Sequence, residues 1–207
     1  MIFMPILILV IAFAIFFTVT TRMRGKRYGR DFEDFIDEER EANTVKSRPI
    51  GEDELFVPDM SLFPIKAESA DIVGRKQSEM QKRAAKKMIR FDAPMSNLEL
   101  KHKYGTVNLE KVSEYEENFF NFIYAVNDWA QALSDSGDLS GARAALRGGV
   151  LSGAETSKTF TMLADIYFQQ NLREEMRELY ETIKTNKMPA KEKTWQYIND
   201  YYVKMGL

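Results

Sequence analysis

The rhythm of hydrophobic and polar positions changes several times along the chain. Met1 to Thr21 has no charged side chain, and from Met1 to Phe17 only Pro5 is not apolar. At about 1.5 Å of rise per residue, roughly 20 helical residues cross a ~30 Å hydrocarbon core, so 1–21 is expected to be a transmembrane helix. Pro5 falls in its first turn, where the missing N–H costs little. The competing reading, a cleaved signal peptide, requires a positive leading segment and small residues at the cleavage site. Here the charge follows the apolar run, and Phe16-Phe17-Thr18-Val19 offers no such site. The pattern favours an uncleaved anchor.

Beyond the span, 22–66 is read as a basic collar, a short acidic helix and an extended strip. Asp31 to Ala42 carries its acids early, where the positive end of a helix favours them. Pro49, Pro58 and Pro64 with Gly51 forbid a long helix over 43–66. The apolar Leu55-Phe56-Val57 and Leu62-Phe63 predict an extended strip docked on a helical body, the alternative being a flexible spacer. Residues 67–107 form a helical middle. Val73, Met80, Ala84 and Met88 recur at helical spacing over 67–91. Arg75, Lys76, Lys82, Arg83, Lys86, Lys87 and Arg90 fill the rest of that stretch. Such a basic helix either lies on lipid or faces the acidic remainder of the protein; the weak apolar face, without Trp, favours the latter. Ser96-Asn97-Leu98-Glu99 is a capping box, and Gly105 is the expected stop. Asn108 is expected to cap a helix running from Leu109 to about Ser136, with Val112, Tyr115, Phe119, Phe122 and Ile123 packing on 43–91.

Over 108–207 the pattern repeats. With a shift of 34, Trp129-Ala130 meets Leu163-Ala164, Leu133 meets Tyr167, Gly137 meets Asn171, Ala142 meets Met176 and Leu146 meets Tyr180. A second shift brings Tyr197, Ile198 and Tyr201 into the first-helix positions, and a closing helix is expected over 190–205. This resembles the tetratricopeptide repeat, a 34-residue helix–turn–helix. Met176, Asn171 and the Gly149–Ile183 pair depart from that family's pattern. A plain antiparallel bundle is the rival architecture. The expected fold is therefore all-α: a single N-terminal transmembrane helix, an extended Pro-containing strip and a helical, tetratricopeptide-like (αα-hairpin) domain. The layout also resembles a group of small membrane-anchored, tetratricopeptide-like proteins of Gram-positive anaerobes, through Glu39-Arg40-Glu41-Ala42-Asn43 and Asn97-Leu98-Glu99-Leu100-Lys101-His102-Lys103-Tyr104-Gly105. That resemblance carries no activity.

Charge sets the orientation. Arg22, Arg24, Lys26, Arg27 and Arg30 follow the span directly, so the positive-inside rule places the C-terminal body in the cytoplasm of a single-pass cell-membrane protein. The same side chains could also meet lipid headgroups. The chain has 29 Lys+Arg and 31 Asp+Glu; removing those five cations leaves 24 against 31, a net of −7 beyond residue 30. An acidic body argues against a nucleic-acid partner.

Chemistry is sparse. There is no cysteine and one histidine, His102, flanked by two lysines, which makes a poor ligand and a poor base. No phosphate-loop, dinucleotide or nucleophile-elbow motif occurs, and Gly148-Gly149 is read as part of a repeat turn. No metal, cofactor, small-molecule substrate or catalytic residue is expected, and the protein is not read as an enzyme. The acids of 31–42 lack the central glycine of a calcium loop. What remains is binding. In the repeat register, Asn127, Gln131, Thr161, Asp165, Phe168, Trp195, Asn199 and Tyr202 are expected to line a protein- or peptide-binding groove, with some of the aromatics partly in the core. The expected role is a membrane-tethered adaptor or scaffold. The alternative is a structural accessory subunit of a membrane complex, held through its transmembrane helix.

Overall fold

The computed structural model describes residues 33–67, 69–186 and 191–207. Within them the chain is all-helical, with eight α-helices and no strand. The helix α1 covers 33–44; then come α2 (Ile72–Ala84), α3 (Asn97–Tyr104), α4 (Leu109–Asp135), α5 (Leu139–Leu151), α6 (Ser157–Gln169), α7 (Arg173–Thr185) and α8 (Lys191–Lys204). Among the described residues no helix is long and apolar enough to cross a membrane. The span expected at 1–21 and its collar, Arg22 to Arg30, lie outside the described residues.

The chain divides into two compact units, along lines different from the linear partition read from sequence. One combines the chain up to Ile50 with Asp92–Lys111; the other combines Gly51–Phe91 with Val112–Leu207. The first unit joins the two motif segments. Glu39 on α1 pairs with Lys101 on α3, and Ala42 is completely buried. The Ser96 capping box forms as expected: its hydroxyl accepts from Glu99 N–H at 3.3 Å and Glu99 accepts from Ser96 N–H at 2.7 Å. Gly105 ends α3 at φ 75°, and a Cβ there would come within 2.8 Å of Ser47 Cα. Arg48 N–H donates to Tyr104 O at 3.1 Å, so 45–48 lies along the end of α3. Asn108 does not cap α4. Its amide instead donates to Ser47 Oγ, Arg48 O and Tyr104 O, because it sits in a 3-10 turn (Thr106–Asn108) that faces this stretch of chain.

In the second unit the shift seen in the sequence is realised in the backbone. Helix α5 runs Leu139–Leu151 and α7 runs Arg173–Thr185, so both ends of α7 fall one full repeat after those of α5. Helix α8, described from Lys191, ends at Lys204, one residue past a full repeat from the end of α6 at Gln169. The turns match too. Gly137 (φ 88°) and Asn171 (φ 53°) both take the left-handed conformation. Gly137 N–H donates to Ser134 O as Asn171 N–H donates to Phe168 O, and Asp138 N–H reaches Leu133 O as Leu172 N–H reaches Tyr167 O. Ala130, Ala164 and Ile198, successive in the shift, expose no surface. This is a helical repeat of two hairpins, α4–α5 and α6–α7, followed by α8. Arg173 at the start of α7 donates to Met205 O and to Gly206 O, in the turn that follows the end of α8.

The strip over 51–66 is docked. Phe56 meets Phe119 edge-on at 5.1 Å, and Phe63 meets Phe122 at 6.1 Å. The helix expected over 67–91 is shorter. It is capped by Asp71 and ends at Ala84, because Met88 and Ile89 are needed elsewhere. Phe56 N–H donates to Met88 O at 2.9 Å and Ile89 N–H to Tyr115 O at 3.1 Å, which buries both side chains against α4. Gly148-Gly149 is not in a turn but inside α5. A Cβ on Gly148 would meet Leu62 O at 2.6 Å, and one on Gly149 would meet Val126 at 3.0 Å. The pair lowers helix propensity by about 1 kcal/mol per residue, yet permits the strip and α4 to approach α5 closely.

These contacts make stability testable at two positions. Gly148→Ala should destabilise by about 1–3 kcal/mol through overpacking against the strip, although alanine is the better helix former. A denaturant titration showing an unchanged or more stable protein would refute the close approach. Asn171→Ala should cost about 1 kcal/mol because alanine resists the left-handed backbone, whereas Asn171→Gly should be tolerated in the same titration. At Gly137 nothing lies within 4 Å of the Cβ position, so that glycine also serves the backbone and not space.

Candidate functional site

The first helix of each repeat presents one face away from its hairpin partner, and the groove residues expected from sequence belong to these helices. The structure distributes them over three environments. Asn127 is buried, 1% exposed, at the seam between α4 and α6. Its carbonyl accepts from Thr159 Oγ1 at 3.0 Å, while its amide nitrogen has no partner among the described residues. Asn127 therefore lines no open surface; the neighbouring Asp128 does. Gln131 is exposed and donates to Asp135 within its own helix at 2.8 Å. Thr161 is half-buried and donates to Lys158 O at 3.1 Å.

The other five meet around α8, on two opposite flanks. Asp165 accepts from Tyr197 Oη at 2.7 Å, and Phe168 stacks on Tyr201 with ring centres 4.5 Å apart. That is the α6–α8 seam. On the other flank, Tyr180 of α7 stacks on Tyr202 at 4.1 Å, lies 6.1 Å from Trp195 and donates to Asn199 at 3.2 Å. At about 3.6 residues per turn, 195, 199 and 202 point almost opposite to 197 and 201. Trp195, Asn199 and Tyr202 thus fill the α7–α8 seam, and Trp195 Nε1 is buried without a partner among the described residues. The expectation of one shared groove wall fails for them because α8 is gripped from both sides.

What the open face of α4 and α6 does carry is a charge network that the sequence pattern did not reveal. Asp128 accepts from Lys76 of α2 at 3.1 Å and lies 3.5 Å from Lys158 of α6. Nearby Tyr124 is more than half exposed. Two depressions of about 360 and 370 Å³ share the Lys76–Asp128 pair; Tyr124 and Arg83 border one, Gln131 and Ile72 the other. Burial opposes the charge on Asp128, but the hydrogen bond and charge of Lys76 and the charge of Lys158 outweigh it, holding the carboxyl below its ordinary value. The Tyr197 phenol is pushed well up, through its contacts with Tyr201 and Asp165. No local signal could have joined Lys76, Asp128 and Lys158, which sit on three helices.

These groups are engaged with one another rather than converging on a reactive point. Among the described residues no three His, Cys, Asp or Glu side chains gather so as to hold a metal ion. His102 is exposed on α3. The collar residues Arg22, Arg24, Lys26, Arg27 and Arg30 lie outside the described residues. Compared with protein families, with curated proteins and with solved structures, the chain finds no match.

The lowered Asp128 pKa sets a pH window. Its stabilisation is present above the ordinary aspartate value of about 3.9 and is lost as pH falls through the depressed folded value. Because the pair is roughly half exposed, Asp128→Asn should cost less than about 1 kcal/mol near neutral pH. That difference from the parent chain should vanish in strong acid. Paired urea titrations across this range measure it; a difference that persists in strong acid would show that charge is not its source.

Proposed function

We propose that this chain is a membrane-tethered protein-binding adaptor. In this reading residues 1–21 anchor it in the cell membrane as a single pass, the collar of five cations keeps the body cytoplasmic, and the tetratricopeptide-like repeat binds a protein or peptide. The observation that carries it is the stack of hairpins whose helices and left-handed turns recur at one constant shift, since stacked helix pairs build extended surfaces suited to partner chains. Tethering would confine that surface to a thin shell beside the membrane and raise its effective concentration towards other membrane proteins. Neither the open face of α4 and α6 nor the aromatic seams of α8 assembles groups for bond-making chemistry.

The test is in-cell crosslinking with the native span and with an unrelated span in its place. Crosslinked partners should survive the exchange, and the body should be digested by protease only in inverted vesicles. Partners lost with the exchange alone would favour the accessory-subunit reading, in which the transmembrane helix makes the contacts. A chain recovered entirely in the soluble fraction would end both.

A further inference from the structure

The two flanks of the repeat differ in how their charges are spent. On the α4–α6 face Asp128 is shared between two lysines. Between α5 and α7, over α6, lies a narrow cleft of about 110 Å³ whose charges are not spent. Its walls are Arg147, Val150 and Leu151 from α5 and Glu175, Glu178 and Leu179 from α7; its floor is Phe160, Leu163 and Tyr167 of α6. Among the described residues, the side chains of Arg143, Arg147, Glu175 and Glu178 form no ion pair or hydrogen bond. Tyr167 is only 4% exposed, lines this cleft, and its hydroxyl has no hydrogen-bond partner among the described residues. Burial raises its pKa, with the charges of Arg147 and Arg143 acting to lower it and those of Glu178 and Glu175 to raise it. Leu151 stands 69% exposed on the rim.

The volume is below the ~300 Å³ at which small-molecule pockets begin, and fits one inserted side chain. Opposite unpaired charges on the two walls, with Leu151 exposed between them and solvent, match a helix that presents an aliphatic residue between flanking charges. We propose that this cleft docks an amphipathic helix of a partner protein, its leucine-sized side chain against Val150 and Leu151, acidic residues towards Arg143 and Arg147, and basic residues towards Glu175 and Glu178. The proposal rests on the reading of the repeat as a binding module and names the face that binds.

The probe is a synthetic helical peptide of about 18 residues with a leucine stripe, glutamates on one side and lysines on the other. Its binding to the full chain in detergent is followed by fluorescence anisotropy, against a peptide flanked by lysine on both sides and one with the stripe changed to serine. The Glu/Lys peptide should bind saturably and the serine peptide should not. Arg143→Glu with Arg147→Glu should weaken the Glu/Lys peptide about tenfold or more and shift preference to the all-lysine one. Leu151→Ser, at an exposed site that does not threaten folding, should weaken both. Tyr124→Ala with Gln131→Ala, on the other face, should change nothing. Absence of saturable binding, indifference to charge reversal, or loss only with the Tyr124/Gln131 variant would overturn the cleft. If crosslinked partners persist in the charge-reversed chain in cells, the cleft is refuted while the adaptor reading stands.

Discussion

Close approach of helix backbones in the second unit is the constraint on which the rest depends. Ala130, Ala142, Ala145 and Ala164 expose no surface, and Gly149 lies against Val126. Short helices such as α5, α6 and α7 are marginal alone in water and gain their stability from packing an apolar face. The small residues bring the axes together, and Trp129, Phe160, Leu146 and Met176 then fill the space between them without leaving surface exposed. Where the pattern departs from small, as at Met176 and Ile183, the side chain is still fully buried.

The same requirement explains the non-helical strip. Gly148 leaves a gap in the wall of α5 that the backbone at Leu62 enters, and Phe63 and Phe56 then close over α4. Lys66 adds an ion pair to Asp138, which also caps α5 by accepting from Gly141 N–H. The lysine is the leading reason that the Asp138 carboxyl lies below its ordinary value. Gln77 of α2 is buried because its amide both accepts from Lys66 N–H and donates to Lys66 O, replacing the pairing a strand would have supplied. Proline-rich chain is thereby held without a sheet.

Charge follows packing. Lysines of α2 and α6 come within reach of Asp128 because their helices flank α4, and the face they share is electrically satisfied. On the opposite flank, the hairpin repeat sets α5 and α7 side by side at a distance their charged side chains do not bridge. The arginines and glutamates there are left facing solvent over a buried tyrosine. An ion pair in solvent gains little, so nothing drives those walls to close on each other.

Much of the helical plan was legible beforehand. The constant shift between repeats, the turn positions Gly137 and Asn171, the Ser96 capping box, the long helix from Leu109 and the buried face of Val112, Tyr115, Phe119 and Phe122 are all local patterns, and local patterns set where an apolar stripe lies around a helix axis. What the stripe meets is a different matter. The end of α2 at Ala84 was decided by Phe56 and Tyr115 claiming the backbone of Met88 and Ile89; the burial of Asn127 was decided by α6 arriving over it; and the division of the α8 aromatics between two seams was decided by α6 and α7 gripping it from either side. Periodicity specifies an angle on one helix, while the occupant of that angle belongs to another part of the chain, and only folding brings the two together.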